Sequence, residues 1–207
     1  MKNVKVYVEG ATRGKRKNKS VNIEFRKAFH LLSEKVGVAH VPEYVPCGGR
    51  SQTWDLAWDR FLKREQDEII FLLVDSETRT NFGPKDAWKF LASQPLEPWT
   101  ELDQRNARYV FLMVVMMETW LLADPDALAR YFGDGFRSNQ IPSWPKLEEI
   151  EKDSILETLS NATQECRKRY KKGERSFEAL AEADPNVIAR KCPHAAYFFQ
   201  RLVEECT

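Results

Sequence analysis

Apolar residues alternate with polar ones at the start of the chain, then recur at helical spacing. Residues 4–8 read V-K-V-Y-V and predict a short strand that stops at Glu9-Gly10. Ser20 stands where it could cap a helix over 21–36, in which Phe25, Ala28, Phe29 and Leu32 share a face before Gly37 ends it. Residues 39–45 predict a second strand, interrupted by Pro42. A turn at Cys47-Gly48-Gly49-Arg50 then precedes a helix over 51–64 whose apolar side carries Trp54, Leu56, Ala57, Trp58, Phe61 and Leu62. Residues 69–74, I-I-F-L-L-V, are apolar throughout, as expected of a strand covered on both faces. Strand, helix, strand, helix, strand in this order predicts an α/β fold with a parallel sheet.

A polar, proline-bearing connection over 78–99, with a short helix near 86–92, leads to an apolar run at 109–115 read as a fourth strand. Residues 117–123 read as a helix start or a buried turn, and Asp124-Pro125 caps a helix to about Tyr131. Helical patterns follow at 152–171, 177–183 and 193–205, with a further helix start at Asp184-Pro185. The expected architecture is one domain: an α/β core over 1–132, with a roughly four-stranded, mainly parallel sheet flanked by helices, and a mainly helical extension over 133–207 packed on it.

A chain of 207 residues buries about 70% of its unfolded surface and needs no disulfide or structural metal to fold. With 32 basic and 31 acidic residues it is not a generally basic nucleic-acid coat protein, so any such contacts come from local patches or a partner. Cys47, Cys166, Cys192 and Cys206 form no C-x-x-C pair, which argues against zinc and for reduced thiols in a cytoplasmic protein. No signal peptide opens the sequence, and the apolar runs at 69–74 and 109–117 are too short to span a bilayer. No G-x-x-x-x-G-K-[ST] occurs, so the chain is not itself a P-loop ATPase.

In an open parallel sheet, ligands gather at the carboxyl ends of strands. Glu9 follows the first strand, and Asp75 and Glu77 follow the third. If those strands are neighbours, the three carboxylates face one crevice. Hard cations take oxygen ligands, and Mg²⁺ is held by one or two carboxylates plus waters and phosphates. Acidic residues at strand ends also simply meet solvent or cap helices, which is the ordinary reading of any one of them. Glu118 is a fourth candidate, read evenly as an auxiliary ligand or as a helix-start carboxylate favoured by the helix dipole. Asp124 reads as an N-cap.

Gly10 would let a phosphate approach beside Glu9. Gly48, Gly49 and Arg50 open a helix, where free backbone N–H groups could hold a phosphate. Arg13, Lys15 and Arg16, with Lys17 and Lys19, form a basic loop after Glu9, and Lys172 closes a second basic run from Arg167. Either run could neutralise phosphate or be a solvated charge run. His30 is expected at a core or boundary position, and His194 could cap a helix. The tryptophans read as core or interface.

The motifs V-Y-V-E-G at 6–10, C-G-G-R at 47–50, L-L-V-D-S-E at 72–77, M-E-T-W-L-L-A-D at 117–124, A-E-A-D-P at 181–185 and C-P-H-A-A at 192–196 resemble a Toprim-like family, domain of unknown function 4276. The resemblance implies a Toprim/Rossmann-like fold and Mg²⁺ or Mn²⁺ as cofactor. It places Glu9 at the first-strand glutamate and Asp75 at the first aspartate of an Asp-x-Asp pair. Glu77 replaces the second aspartate, one methylene longer. The implied function is Mg²⁺-dependent hydrolysis of DNA or RNA, as the effector of a bacterial anti-phage system. The implied partners are nucleic acid and an ATPase subunit encoded nearby, with self-association left open. Two alternatives stand beside it: a non-catalytic partner subunit of an ATPase, and a metal-dependent phosphotransferase acting on small nucleotides.

Overall fold

The structure, a computed structural model, describes residues 2–11, 19–63, 65, 67–94 and 104–206. Among them four strands form one all-parallel sheet: β1 (Asn3–Val8), β2 (Glu43–Pro46), β3 (Glu68–Asp75) and β4 (Val110–Met113), in the order β2-β1-β3-β4. The chain steps from β1 outward to β2, then returns to place β3 on the other side of β1. Right-handed crossovers therefore put α1 (Lys19–Val36) and α2 (Arg50–Lys63) on opposite faces. The same reversal makes the gap between β1 and β3 the switch point of the sheet, where loops leaving neighbouring strands diverge and open a crevice.

β3 is the central strand, paired with β1 from Asn3↔Glu68 to Val8↔Leu73 and with β4 from Leu72↔Val110 to Asp75↔Met113. Residues Ile70 to Val74 of it are wholly buried, which explains a run without alternation. On one face Phe71 and Phe111 pack against Phe198 of α10 (Pro193–Glu205), and Trp120 of α5 (Glu118–Ala123) lies between Phe198 and Phe29 of α1. On the other, Trp54 of α2 stacks on Trp88 of α3 (Ala87–Ala92). After a short α4 (Gln104–Ala107), the rest of the chain supplies α6 (Pro125–Phe132), α7 (Lys152–Ala162), α8 (Glu174–Glu182) and α9 (Pro185–Lys191). The helical C-terminal region packs on the sheet through α10, whose Phe198 meets Phe71 and Phe111. No helix among the described residues is long and apolar enough to cross a membrane.

Several boundaries move from their sequence expectation. α1 begins at Lys19, so Ser20 lies inside its first turn rather than capping it. β2 begins only after Pro42, which has no N–H to give a ladder. β4 ends at Met113, because Val115 adopts a left-handed backbone (φ 64°) and its N–H goes to the Ser76 hydroxyl. The helix expected over 152–171 stops at Ala162: Thr163 Oγ1 donates back to the Leu159 carbonyl and accepts the Tyr170 N–H, folding the basic run into a loop. His30 is exposed beside Glu34 instead of lying at the core. His194 is buried with Nδ1 2.7 Å from Glu148 Oε2 and Nε2 3.2 Å from the Phe82 carbonyl, and the helix end is capped by Glu148, which accepts the His194 N–H. The four cysteines are buried and unbridged.

Candidate metal centre

Each of the first three acidic candidates is delivered by a strand end. Glu9 leaves β1 and Asp75 closes β3, one on each side of the switch point. One carboxylate oxygen from each of Glu9, Asp75 and Glu77 lies within 4.8 Å of the others. Oxygens sharing one octahedral Mg²⁺ stand about 3 Å apart in cis and about 4.2 Å apart in trans. The observed spread is therefore a small side-chain adjustment from a ligand set. All the donors are carboxylate oxygens, the chemistry of a hard dication rather than of zinc or copper.

Backbone hydrogen bonds hold this arrangement. The Asp75 N–H donates to Glu9 Oε2 at 3.1 Å, and the Met117 N–H donates to Asp75 Oδ1 at 2.9 Å. Ser76 ties the β3 and β4 loops together: its N–H donates to the Met113 carbonyl and its hydroxyl accepts the Val115 N–H at 2.7 Å. The Glu77 N–H in turn reaches the Val115 carbonyl at 3.0 Å. Glu77 and Val115 both sit at φ 64°, a region that is sparse for non-glycine residues and unusual for a β-branched one. Such positions cost on the order of 1–3 kcal/mol each and persist where the surroundings over-determine them, often at functional sites. Here the reciprocal bonds across the two loops supply that constraint.

Asp75 is 8% exposed and Glu118 only 1%. Burial, then the Glu9 and Glu118 carboxylates, push the Asp75 carboxyl well above the usual range, against the opposing field of Lys172. Glu118, the first residue of α5, has the helix-start position of one of its sequence readings and belongs to the same electrostatic cluster. Its Oε1 accepts from the Tyr170 and Ser176 hydroxyls at 3.0 Å each, whereas Oε2 is buried with no partner among the described residues. A buried carboxylate oxygen without a donor calls for an explanation, and a cation held among these side chains would supply one. The like-charge crowding at Asp75 points the same way, since a dication would relieve it. The residues present fit a hard divalent metal.

The phosphate candidates divide. Gly10 adopts φ 112°, open only to glycine, and pairs with Gly48 of the turn after β2: the Gly10 N–H donates to the Gly48 carbonyl at 2.8 Å and the Gly48 N–H to the Gly10 carbonyl at 3.4 Å. The Gly49 N–H reaches Gln52 Oε1 at 3.4 Å. The N–H groups of Gly48 and Gly49, expected to be available for a phosphate, thus each have a long contact to an acceptor within the protein. Arg50 Nη1 approaches the Asp75 and Ser76 carbonyls at 3.4 Å, so it braces the loop after β3. Lys172 is exposed, in the turn before α8, and near enough to act on Asp75. Arg13, Lys15 and Arg16 lie outside the described residues. Asp124 is an N-cap, accepting the Ala127 N–H at 3.1 Å, and also accepts the Asp184 N–H at 2.9 Å.

Lys152, Tyr170, Ser176 and Ser76 had no sequence signal marking them for this site. Lys152, at the start of α7, donates to Glu77 Oε2, and this bond holds its ammonium above the usual lysine range. Only the fold of the C-terminal region over the sheet edge brings Lys152, Tyr170 and Ser176 there.

No curated protein and no solved structure matches the chain. A family model described as Domain of unknown function (DUF4276) matches residues 9–203, from Glu9 almost to the end of α10, and the chain belongs to that family.

Proposed function

We propose that this protein is a Mg²⁺- or Mn²⁺-dependent nuclease, Toprim-like in its acidic centre, that hydrolyses phosphodiester bonds of DNA or RNA. The observation that carries the reading is the convergence of Glu9, Asp75 and Glu77 within 4.8 Å at the switch point of a parallel sheet. Asp75 and Glu77 serve as ligands, Glu9 as ligand or general base, and Glu118 as the auxiliary carboxylate. A bound dication supplies Lewis-acid polarisation of the phosphate and a more acidic water. The chain's own part is positioning. The Met117 N–H fixes the Asp75 carboxylate, the Asp75 N–H fixes that of Glu9, and Arg50 braces the loop after β3. Lys172, exposed near the crevice, is placed to attract the substrate backbone. A bacterial anti-phage role with an ATPase partner in the cytoplasm rests on the family resemblance of the sequence motifs.

The test is cleavage of DNA and RNA substrates by the metal-stripped chain, alone and with its neighbouring-gene ATPase, with Mg²⁺ or Mn²⁺ restored. Wild type is expected to cleave only with metal, and Asp75→Asn not at all. Metal-independent cleavage, or full activity in the variant, rejects the reading. A second reading, a non-catalytic subunit docked on an ATPase, is favoured by one observation: Glu77 is already ion-paired with Lys152. Metal binding and cleavage both absent, with stable ATPase association, would select it.

A further inference from the structure

Lys152 is not needed to build the acidic centre, yet it is bonded to one member of it. Its ammonium donates to Glu77 Oε2, with both side chains a little over one-third exposed (37% and 35%). A second, exposed ion pair lies beside it. Glu151, just before Lys152, binds Arg79 at 2.7 Å, and Arg79 lies two residues beyond Glu77. Glu77 is itself locked by its left-handed backbone and its N–H bond to Val115. The Glu77 backbone is thus held by the fold, and the lysine head, on its four-carbon stem, has the longer reach of the two charged groups.

Around this pair stand Glu9, Asp75 and Glu118, and the Glu118 Oε2 atom, in a residue 99% buried, has no partner among the described residues. A monovalent ammonium answers one carboxylate of such a cluster and leaves the others uncompensated. A divalent cation answers several at once, but would take an oxygen of Glu77 that Lys152 now engages.

We infer that Lys152 is the resident counter-ion of the acidic centre, competing with the metal for Glu77 and turning, once displaced, to the substrate's phosphate. The inference rests on the metal-centre reading above and adds to it a residue with two opposed effects. In the metal-free protein Lys152 offsets part of the negative charge and so weakens metal binding. With metal bound, its stem stays anchored at the start of α7, and its head remains at the half-open mouth of the crevice. There a phosphate oxygen replaces Glu77 as its acceptor. A purely structural ion pair has no such signature, because its loss would weaken metal binding and turnover together.

The experiment is Mn²⁺ titration of the metal-stripped full chain by calorimetry, with turnover on a polynucleotide at saturating Mn²⁺ as second readout. Wild type is compared with Lys152→Met, Lys152→Gln and Lys152→Arg, with Asp75→Asn as the binding blank. Lys152→Met and Lys152→Gln are expected to bind Mn²⁺ about fivefold more tightly, the order of a partly exposed ion pair removed. Their turnover at saturating metal is expected to fall about tenfold or more. Lys152→Arg should keep wild-type affinity. Should either neutral variant fail to fold, the other carries the comparison. Equal or weaker Mn²⁺ binding in the neutral variants, with wild type binding normally, overturns the counter-ion role. Tighter binding with unchanged turnover overturns the phosphate role. Absence of Mn²⁺ binding in every protein instead removes the metal reading itself.

Discussion

Asp75→Asn separates charge from shape at the most buried member of the acidic trio. Asparagine keeps the volume, and its carbonyl oxygen can still accept the Met117 N–H that now reaches Asp75 Oδ1 at 2.9 Å. What disappears is a negative charge crowded by burial and by Glu9 and Glu118. The sign follows from linkage. The folded carboxyl titrates above its unfolded counterpart, so between the two values the folded chain holds more protons. Stability is then greatest below the unfolded value of about 3.9 and falls as pH rises through the raised folded one. At neutral pH, without metal, the ionised Asp75 is a net destabiliser, and Asp75→Asn should raise stability by about 0.5–2 kcal/mol, typical of relieving a strained functional site. For a chain of this size each kcal/mol corresponds to roughly 2–4 °C in Tm. Metal reverses the order. At a concentration about 100 times its dissociation constant a ligand adds about 2.7 kcal/mol, which wild type should gain and the variant should not. Thermal and urea unfolding with EDTA and with Mg²⁺, across acid to neutral pH, reads both effects. A variant less stable than wild type in EDTA, together with a wild type indifferent to Mg²⁺, would refute the reasoning.

Glu118→Gln retains an acceptor for Tyr170 and Ser176 but loses the charge; unfolding should be little changed, while metal-dependent cleavage should fall by about tenfold or more, the scale of a lost electrostatic contact. Gly135→Ala places a Cβ 2.5 Å from the Glu165 carbonyl oxygen at φ 86°, so urea unfolding should show a loss above about 1 kcal/mol; an unchanged midpoint would contradict the packing of the loop after α7. Phe198→Ala empties the centre of a cluster with Phe71, Phe111, Trp120 and Phe199, and should lower stability by about 3–5 kcal/mol in the same assay.

The sequence by itself determined the parallel α/β core. Apolar runs at 4–8 and 69–74, split by amphipathic helices, fix the element order, and that order leaves few topologies once crossovers must be right-handed. It also marked Glu9, Asp75 and Glu77, because strand ends are where such sheets expose chemistry. It did not determine that β1 and β3 are neighbours, since pairing between strands depends on burial summed over the whole chain. Nor did it show Gly48 lying opposite Gly10, which is a matter of which backbone the packing brings alongside. The end of β4 was misplaced for a similar reason: apolar pattern continues through 114–117, but hydrogen bonds from the facing loop turn Val115 out of the extended state. Lys152, Tyr170 and Ser176 join the site from a region whose helices carry no local mark of it. Periodicity reports which face of an element is apolar; only packing decides which polar groups from distant segments that burial then forces together.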